Sequence, residues 1–319
     1  MKKIILCFTF LILILSCDNT SKTEDEISQL KVSFDIERFD RAFAEANPER
    51  LSQLKGAFPF LFSKHIPDSI WIQRMNDTLQ KELHDEVAMT FEDFSGVEAD
   101  IESLFQHLKY YDKTFKTPRI VTLTSDVDYR NKVIVTDTIM LIALDTYLGE
   151  NHKYYQDIPR YITQNMTQKH IVSDLAAEYS KKYIYQPKKK TLLDEMIYFG
   201  KQLYFKDVMI PFKTDAEKIG YTQEQLDWSL DNEQYIWAYF VENKLLYSTD
   251  PDLPNRFIAG APFSKFYLEL DRDSPGRLGQ YIGWKIVRAY MENNNTTLRD
   301  MMQMDASEIF NNSRFKPKK

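Results

Sequence analysis

Nine glycines serve 319 residues, and three of them, Gly276, Gly279 and Gly283, fall close together near the C-terminus. At i, i+3 and i+7 they strip one side of the helix expected over 277–291, while Ile282, Ile286, Ala289 and Tyr290 supply its apolar mass. A glycine inside a helix costs about 1 kcal/mol relative to alanine, so such a stripe predicts that another backbone packs directly on it. Packing within one chain is favoured over a seam between two copies. Arg277 and Arg288 flank the stripe and are candidates to pair with buried carboxylates.

Scarce glycine beside 14% aromatic residues favours helices with large buried side chains over a turn-rich sandwich. Apolar periodicity near 3.6 predicts helices over 69–91, with Ser69 as cap, and over 99–111, 159–183, 192–208, 222–247 and 277–291. The middle differs: 119–123 (RIVTL), 132–136 (KVIVT) and 138–144 (TIMLIAL) are β-branched runs separated by polar residues, which predicts a small antiparallel sheet. The fold class expected is α+β, mostly α, with long helices packed around that sheet in a single domain. Residues 186–190 (QPKKK) read as a solvated inter-helix loop, 293–295 as a loop and 316–319 as a frayed tail.

The first residues carry a separate message. Two lysines precede twelve largely apolar residues, short of the roughly 20 that a membrane-crossing helix needs, so residues 1–16 read as an export leader. Ile14-Leu15-Ser16-Cys17 resembles a bacterial lipobox, in which the leader is removed and Cys17 becomes an acylated first residue. Removing the leader's two lysines takes the formal charge from −6 to −8 and leaves one cysteine, so an intramolecular disulfide is excluded. This acidic balance argues against nucleic acid as a partner. Several acyl chains, at about 0.8 kcal/mol per buried methylene, hold a protein on a membrane. Residues 17–30, polar over 18–26, read as a flexible tether ahead of a domain spanning 31–319.

Motifs of known chemistry fail one after another. No two glycines stand two apart, and Gly200-Lys201 lacks the spacing of a phosphate-binding loop. There is no Gly-x-Ser-x-Gly elbow. Asp271-x-Asp273-x-Pro275-Gly276 starts like a calcium loop but places Ile282 where the bidentate carboxylate belongs. None of His65, His84, His107, His152 and His170 is followed by glutamate. His170, Asp174 and Glu178 share a face at i, i+4 and i+8, yet a wheel counted from Ile162 puts that face toward solvent, as an ordinary charged stripe. The same wheel turns Gln164, Asn165 and Gln168 inward among aromatics, where buried amides must find partners. No catalytic residue, metal ligand or cofactor is assigned.

Leu144-Asp145-Thr146-Tyr147-Leu148-Gly149, then Tyr154-Tyr155 and Pro159-Arg160-Tyr161-Ile162, and finally 275–291 (PGRLGQYIGWKIVRAYM) resemble the GldB family of gliding-motility lipoproteins of Bacteroidota. The resemblance implies a lipid-anchored protein of the cell envelope required for gliding motility and the associated type IX secretion; the acidic Glu24-Asp25-Glu26, set several residues beyond Cys17, favours a domain that faces the periplasm. Its implied partners are the membrane, through the lipid on Cys17, and protein components of the gliding and secretion machinery. The family is also distantly similar to a group of zinc-protease-like proteins that carry His-Glu-x-x-His and a downstream glutamate. Laid on this chain, those positions fall on Gln164, Asn165, Gln168 and Phe199, so the resemblance implies a zincin-like domain with a degenerate cleft and no catalysis. The rival reading is a metal-dependent or carboxylate-based hydrolase of peptide or peptidoglycan using His170, Glu178, Asp194 or Glu195; a structural spacer is the third.

Overall fold

The computed structural model describes residues 17–185 and 191–318; the leader 1–16, the basic loop 186–190 and Lys319 lie outside the described residues. The sheet has four strands, β1 (Ile36–Arg38), β2 (Arg119–Leu123), β3 (Val133–Val135) and β4 (Ile139–Ala143), in the order β1-β2-β4-β3. It is mixed, which corrects the antiparallel expectation. Only the β3–β4 hairpin is antiparallel, with Ile134 opposite Leu141. β2 runs parallel to β4, with Val121 opposite Leu141, and parallel to β1, with Glu37 opposite Val121. The hairpin inserts β4 rather than β3 beside β2, and β1 is too short and too charged to show as a β-branched run.

Alternation along β2 divides the core. Ile120 faces the main core, while Val121 faces a second cluster built from Phe39, Phe43, Leu51, Phe58, Phe62 and Met75. That second layer comprises α2 (Phe39–Ala44), α3 (Leu51–Ala57) and α4 (Asp68–Asn76), preceded by α1 (Cys17–Ser28); α5 (Thr78–Thr90), which sends Val87 into the main core, and α6 (Ser95–Tyr111) follow. The expected helix over 69–91 is cut at Asp77, whose carboxylate accepts the Gln80 N–H at 3.0 Å and caps α5.

After the sheet come α7 (Arg160–Thr163), α8 (Ile171–Ser180), α9 (Leu192–Met209), α10 (Asp215–Ile219), α11 (Gln223–Asp231), α12 (Glu233–Glu242), α13 (Leu253–Phe257), α14 (Leu278–Asn293), α15 (Leu298–Gln303) and α16 (Ala306–Ser313). The expected helix over 159–183 is interrupted between α7 and α8, where Thr167 bridges to Leu148 and the Gly149 N–H donates to the Met166 carbonyl at 3.0 Å. α9 and α14 cross at the centre of the main core.

At that crossing the glycine stripe meets backbone, as its spacing requires. A Cβ on Gly283 would collide with the Met196 carbonyl, and one on Gly200 would collide with the Gly283 carbonyl. A Cβ on Gly279 would stand 2.8 Å from the Phe257 carbonyl oxygen. One turn beyond, Arg288 chelates Asp207 and Asp215 and stacks 3.7 Å over the Trp284 ring, whose N–H donates to Asp207 at 2.8 Å. Arg288 therefore does pair with carboxylates, and the pair fastens α9, α10 and α14 together.

Residues 17–28, read from sequence as tether, are the helix α1, and its C-terminal part docks on α6. Ile27 is 1% exposed, Glu24 meets His107 at 3.2 Å, and Gln106 donates to the carbonyls of Ser28 and Leu30. Among the described residues no helix is long and apolar enough to cross a membrane.

Gly283→Ala should lower unfolding stability by more than about 3 kcal/mol in urea titration, because backbone rather than a flexible side chain must give way. The exposed Gly56→Ala in α3, where a Cβ meets nothing within 4 Å, should raise it by about 0.5–1 kcal/mol.

Candidate functional site

The break before α8 changes which side chains face inward. With the helix phase reset at 164–170, His170 becomes 4% exposed and leaves the expected solvent-facing stripe, while Asp174 and Glu178 stay half-buried, paired with Lys132 and Lys181. The Asp174 carboxylate accepts the Tyr147 hydroxyl at 2.8 Å and the Lys132 ammonium. α9 supplies Lys206, which donates to Ser173 Oγ at 3.0 Å and to the Lys218 carbonyl at 2.8 Å. Three cations, Lys132, Lys206 and Arg277, act electrostatically on or through Asp174.

Burial would raise the Asp174 acid, but Lys132, Lys206 and Tyr147 overcome it and hold the carboxyl below its ordinary range. Burial pushes Lys206 down to about 8, with Asp174 opposing, and pushes His170 down to about 4. The His170 ring nitrogen Nδ1 instead meets Thr167 Oγ1 at 2.8 Å. Asp174 keeps 27% side-chain exposure, so water reaches this charged floor.

Beside it, three donors converge on one carbonyl. Gln164 Nε2, Asn165 Nδ2 and Arg277 reach the Gly220 oxygen at 3.1, 2.9 and 2.8 Å. Gly220 ends α10 at φ 72°, and a Cβ there would sit 2.8 Å from Asn165 Nδ2, so the turn needs glycine. Arg277 thus pairs with a carbonyl rather than a carboxylate, and its guanidinium stacks over Tyr221.

Only two of the four residues assigned to a degenerate cleft come together. Gln164 and Asn165 share Gly220, whereas Gln168 donates to the Thr90 carbonyl at 2.6 Å and Phe199 is half-buried on α9 against Tyr198. Gln164 closes α7 and Gln168 opens the next turn, so the two amides do not lie one helical turn apart. Cys17 opens α1. Thr191 caps α9, and Asp194 completes the capping box by accepting the Thr191 N–H at 2.9 Å rather than joining Glu178. Among the described residues no group of three or more His, Cys, Asp and Glu gathers as a metal site.

A second focus escaped the sequence reading. Asp145, 0% exposed, accepts the backbone N–H groups of Ser125 at 2.9 Å and Val127 at 2.7 Å. These bonds hold Asp126 and Val127 in the left-handed region at φ 56° and 59°, a strained conformation for a β-branched residue. Burial raises the Asp145 acid to about 6 against those donors. The strained loop follows β2 and Asp145 follows β4, at the carboxyl ends of parallel strands where open sheets build ligand sites. A cavity of about 240 Å³ opens there between Trp71, Arg74 and Asp126. The available signal was a single acid inside the apolar run 139–148.

Asp174→Ala should cost about 2–3 kcal/mol in chemical unfolding by leaving Lys132 and Lys206 without their carboxylate. His170 binds its proton more weakly folded than unfolded, so stability is complete above about pH 6.5 and falls as pH drops toward 4, by about 3 kcal/mol at most. His170→Gln should flatten that slope in pH-dependent thermal melts.

A family model described as gliding motility protein GldB matches residues 20–317. No curated protein and no solved structure matches the chain.

Proposed function

We propose, for a chain that belongs to the gliding motility protein GldB family, that its part in gliding is to hold protein components of the motility and type IX secretion machinery without catalysing a reaction. The observation that carries this reading is the use made of the resembling positions. Gln164 and Asn165 are bonded to the Gly220 carbonyl, and the neighbouring charge of Asp174 is engaged by Lys132 and Tyr147. Side chains so engaged fix three chain segments relative to one another and offer no free base or nucleophile.

On this reading the body is a zincin-like scaffold in descent, a small sheet ahead of packed helices, retained for shape after its chemistry was lost. The lipobox-like run ending at Cys17 supports, on the same reading, acyl chains on that residue and a folded domain at the periplasmic face of a membrane.

The test is made in gliding cells. His170→Gln, Glu178→Gln and Glu195→Gln variants should spread as wild type, and cross-linking through the tagged protein should recover envelope proteins. Loss of spreading in a folded, normally abundant variant, together with peptidase activity of the purified wild type, would overturn the non-catalytic reading.

A further inference from the structure

Among the described residues, five buried side-chain nitrogen or oxygen atoms lack a hydrogen-bond partner, and three of them belong to Trp71 of α4 and His84 of α5. His84 is 7% exposed, and both of its ring nitrogens are unanswered, as is the Trp71 indole N–H. Phe43 stands beside both residues, its ring centroid 6.3 Å from that of Trp71 and 6.1 Å from that of His84. Buried donors and acceptors left unpaired are costly, so three gathered around one phenyl ring need a reason.

They surround the crevice at the strained loop that follows β2. Trp71 lines its larger lobe, about 240 Å³, and His84 lines a smaller lobe of about 60 Å³; Phe43 and Arg74 line both. The larger lobe falls below the roughly 300–1,000 Å³ of drug-sized sites, which leaves room for one small ring. Its accessible apolar surface comes from half-buried Leu61, Trp71 and Leu123, since Phe43 is 6% exposed and belongs to the second core cluster. The crevice shares no lining residue with the network around Gly220.

Charge around the crevice cancels. Arg74 donates to Asp126 at 2.5 Å, and Gln80 donates to the other oxygen of that carboxylate at 2.7 Å. The remaining charged lining residues, Lys81 and Asp85, are exposed and of opposite sign. Burial holds His84 below its ordinary range, so its ring is neutral. A neutral imidazole donates from one nitrogen and accepts at the other, whereas an indole N–H only donates. The three atoms therefore ask an occupant for two acceptors and one donor. A carboxylate brings no donor and an ammonium no acceptor. A hydroxyl brings both, and it serves either His84 nitrogen whichever carries the proton. A single amide also brings both, but on fixed edges of one plane, while a ring of hydroxyls presents them in several directions.

We propose that this crevice binds a neutral saccharide, a hexopyranose unit whose ring occupies the larger lobe beside Trp71 and whose hydroxymethyl arm enters the smaller lobe toward His84. The carbon–hydrogen surface of the sugar covers Leu61, Trp71 and Leu123, and its hydroxyls answer the indole and imidazole nitrogens. An uncharged occupant matches the balanced lining, and the hydroxymethyl arm matches a lobe too small for a second ring.

Calorimetric titration of the purified full chain with glucose, galactose and mannose should show at least one of them binding at a single site with millimolar affinity. For that sugar, the pentose lacking the hydroxymethyl arm, the uronic acid and the amino sugar should each bind at least tenfold more weakly. His84→Phe should weaken the sugar at least tenfold and Trp71→Phe about threefold. Failure of all three sugars to bind the wild-type chain, the result expected if trapped water alone serves these nitrogens, would overturn the proposal. So would binding indifferent to both substitutions, or a neutral dipeptide amide binding as tightly as the sugar.

Discussion

Close contact between α9 and α14 is the constraint on which the rest of this molecule depends. Gly200 and Gly283 allow the two backbones to approach to a distance that no side chain would permit, and the loss of helix propensity is offset by dispersion contacts of Trp284, Ile282 and Ile286, all fully buried. α9 then carries Lys206 into the charged crevice, Asp207 to Arg288, and Phe205 and Met209 into the main core. Polar and apolar features of quite different kinds are therefore referenced to one rigid crossing.

Charged residues in this fold work mostly as fasteners. Arg288 joins three helices through two carboxylates, and Asp174 joins α8 to the β3 approach and to Tyr147. Each engages several partners, which is what lets such charges sit with little exposure. Asp145 differs, because its partners are backbone N–H groups and the loop it holds is strained. The carboxylate's hydrogen bonds hold that strained conformation, which ties the loop after β2 to the residue that follows β4.

Legibility in the sequence followed the range of the interaction concerned. The glycine stripe was readable because a helix converts spacing directly into a face, and the partner backbone was found where the stripe demanded it. The β-branched runs located β2, β3 and β4, but pairing order depends on how the hairpin folds back, which no local pattern encodes. The helix over 159–183 failed through a single extended residue, Thr167, whose bridge to Leu148 is tertiary. Once that break reset the phase, the facing of His170, Asp174 and Gln168 could not be recovered by counting. Gln164 and Asn165 did prove to need buried partners, yet the partner, Gly220, lies more than fifty residues away.

The docking of α1 on α6 alters what an acyl group on Cys17 could do mechanically. Glu24, the point of attachment to His107, lies seven residue steps after Cys17; as helix these span about 10 Å, against about 24 Å for an extended strand. A lipid there would hang from a short stiff strut instead of a slack leash. The body would then ride close to the bilayer with restricted tilt, and a sideways pull on any bound component would reach the lipid as torque.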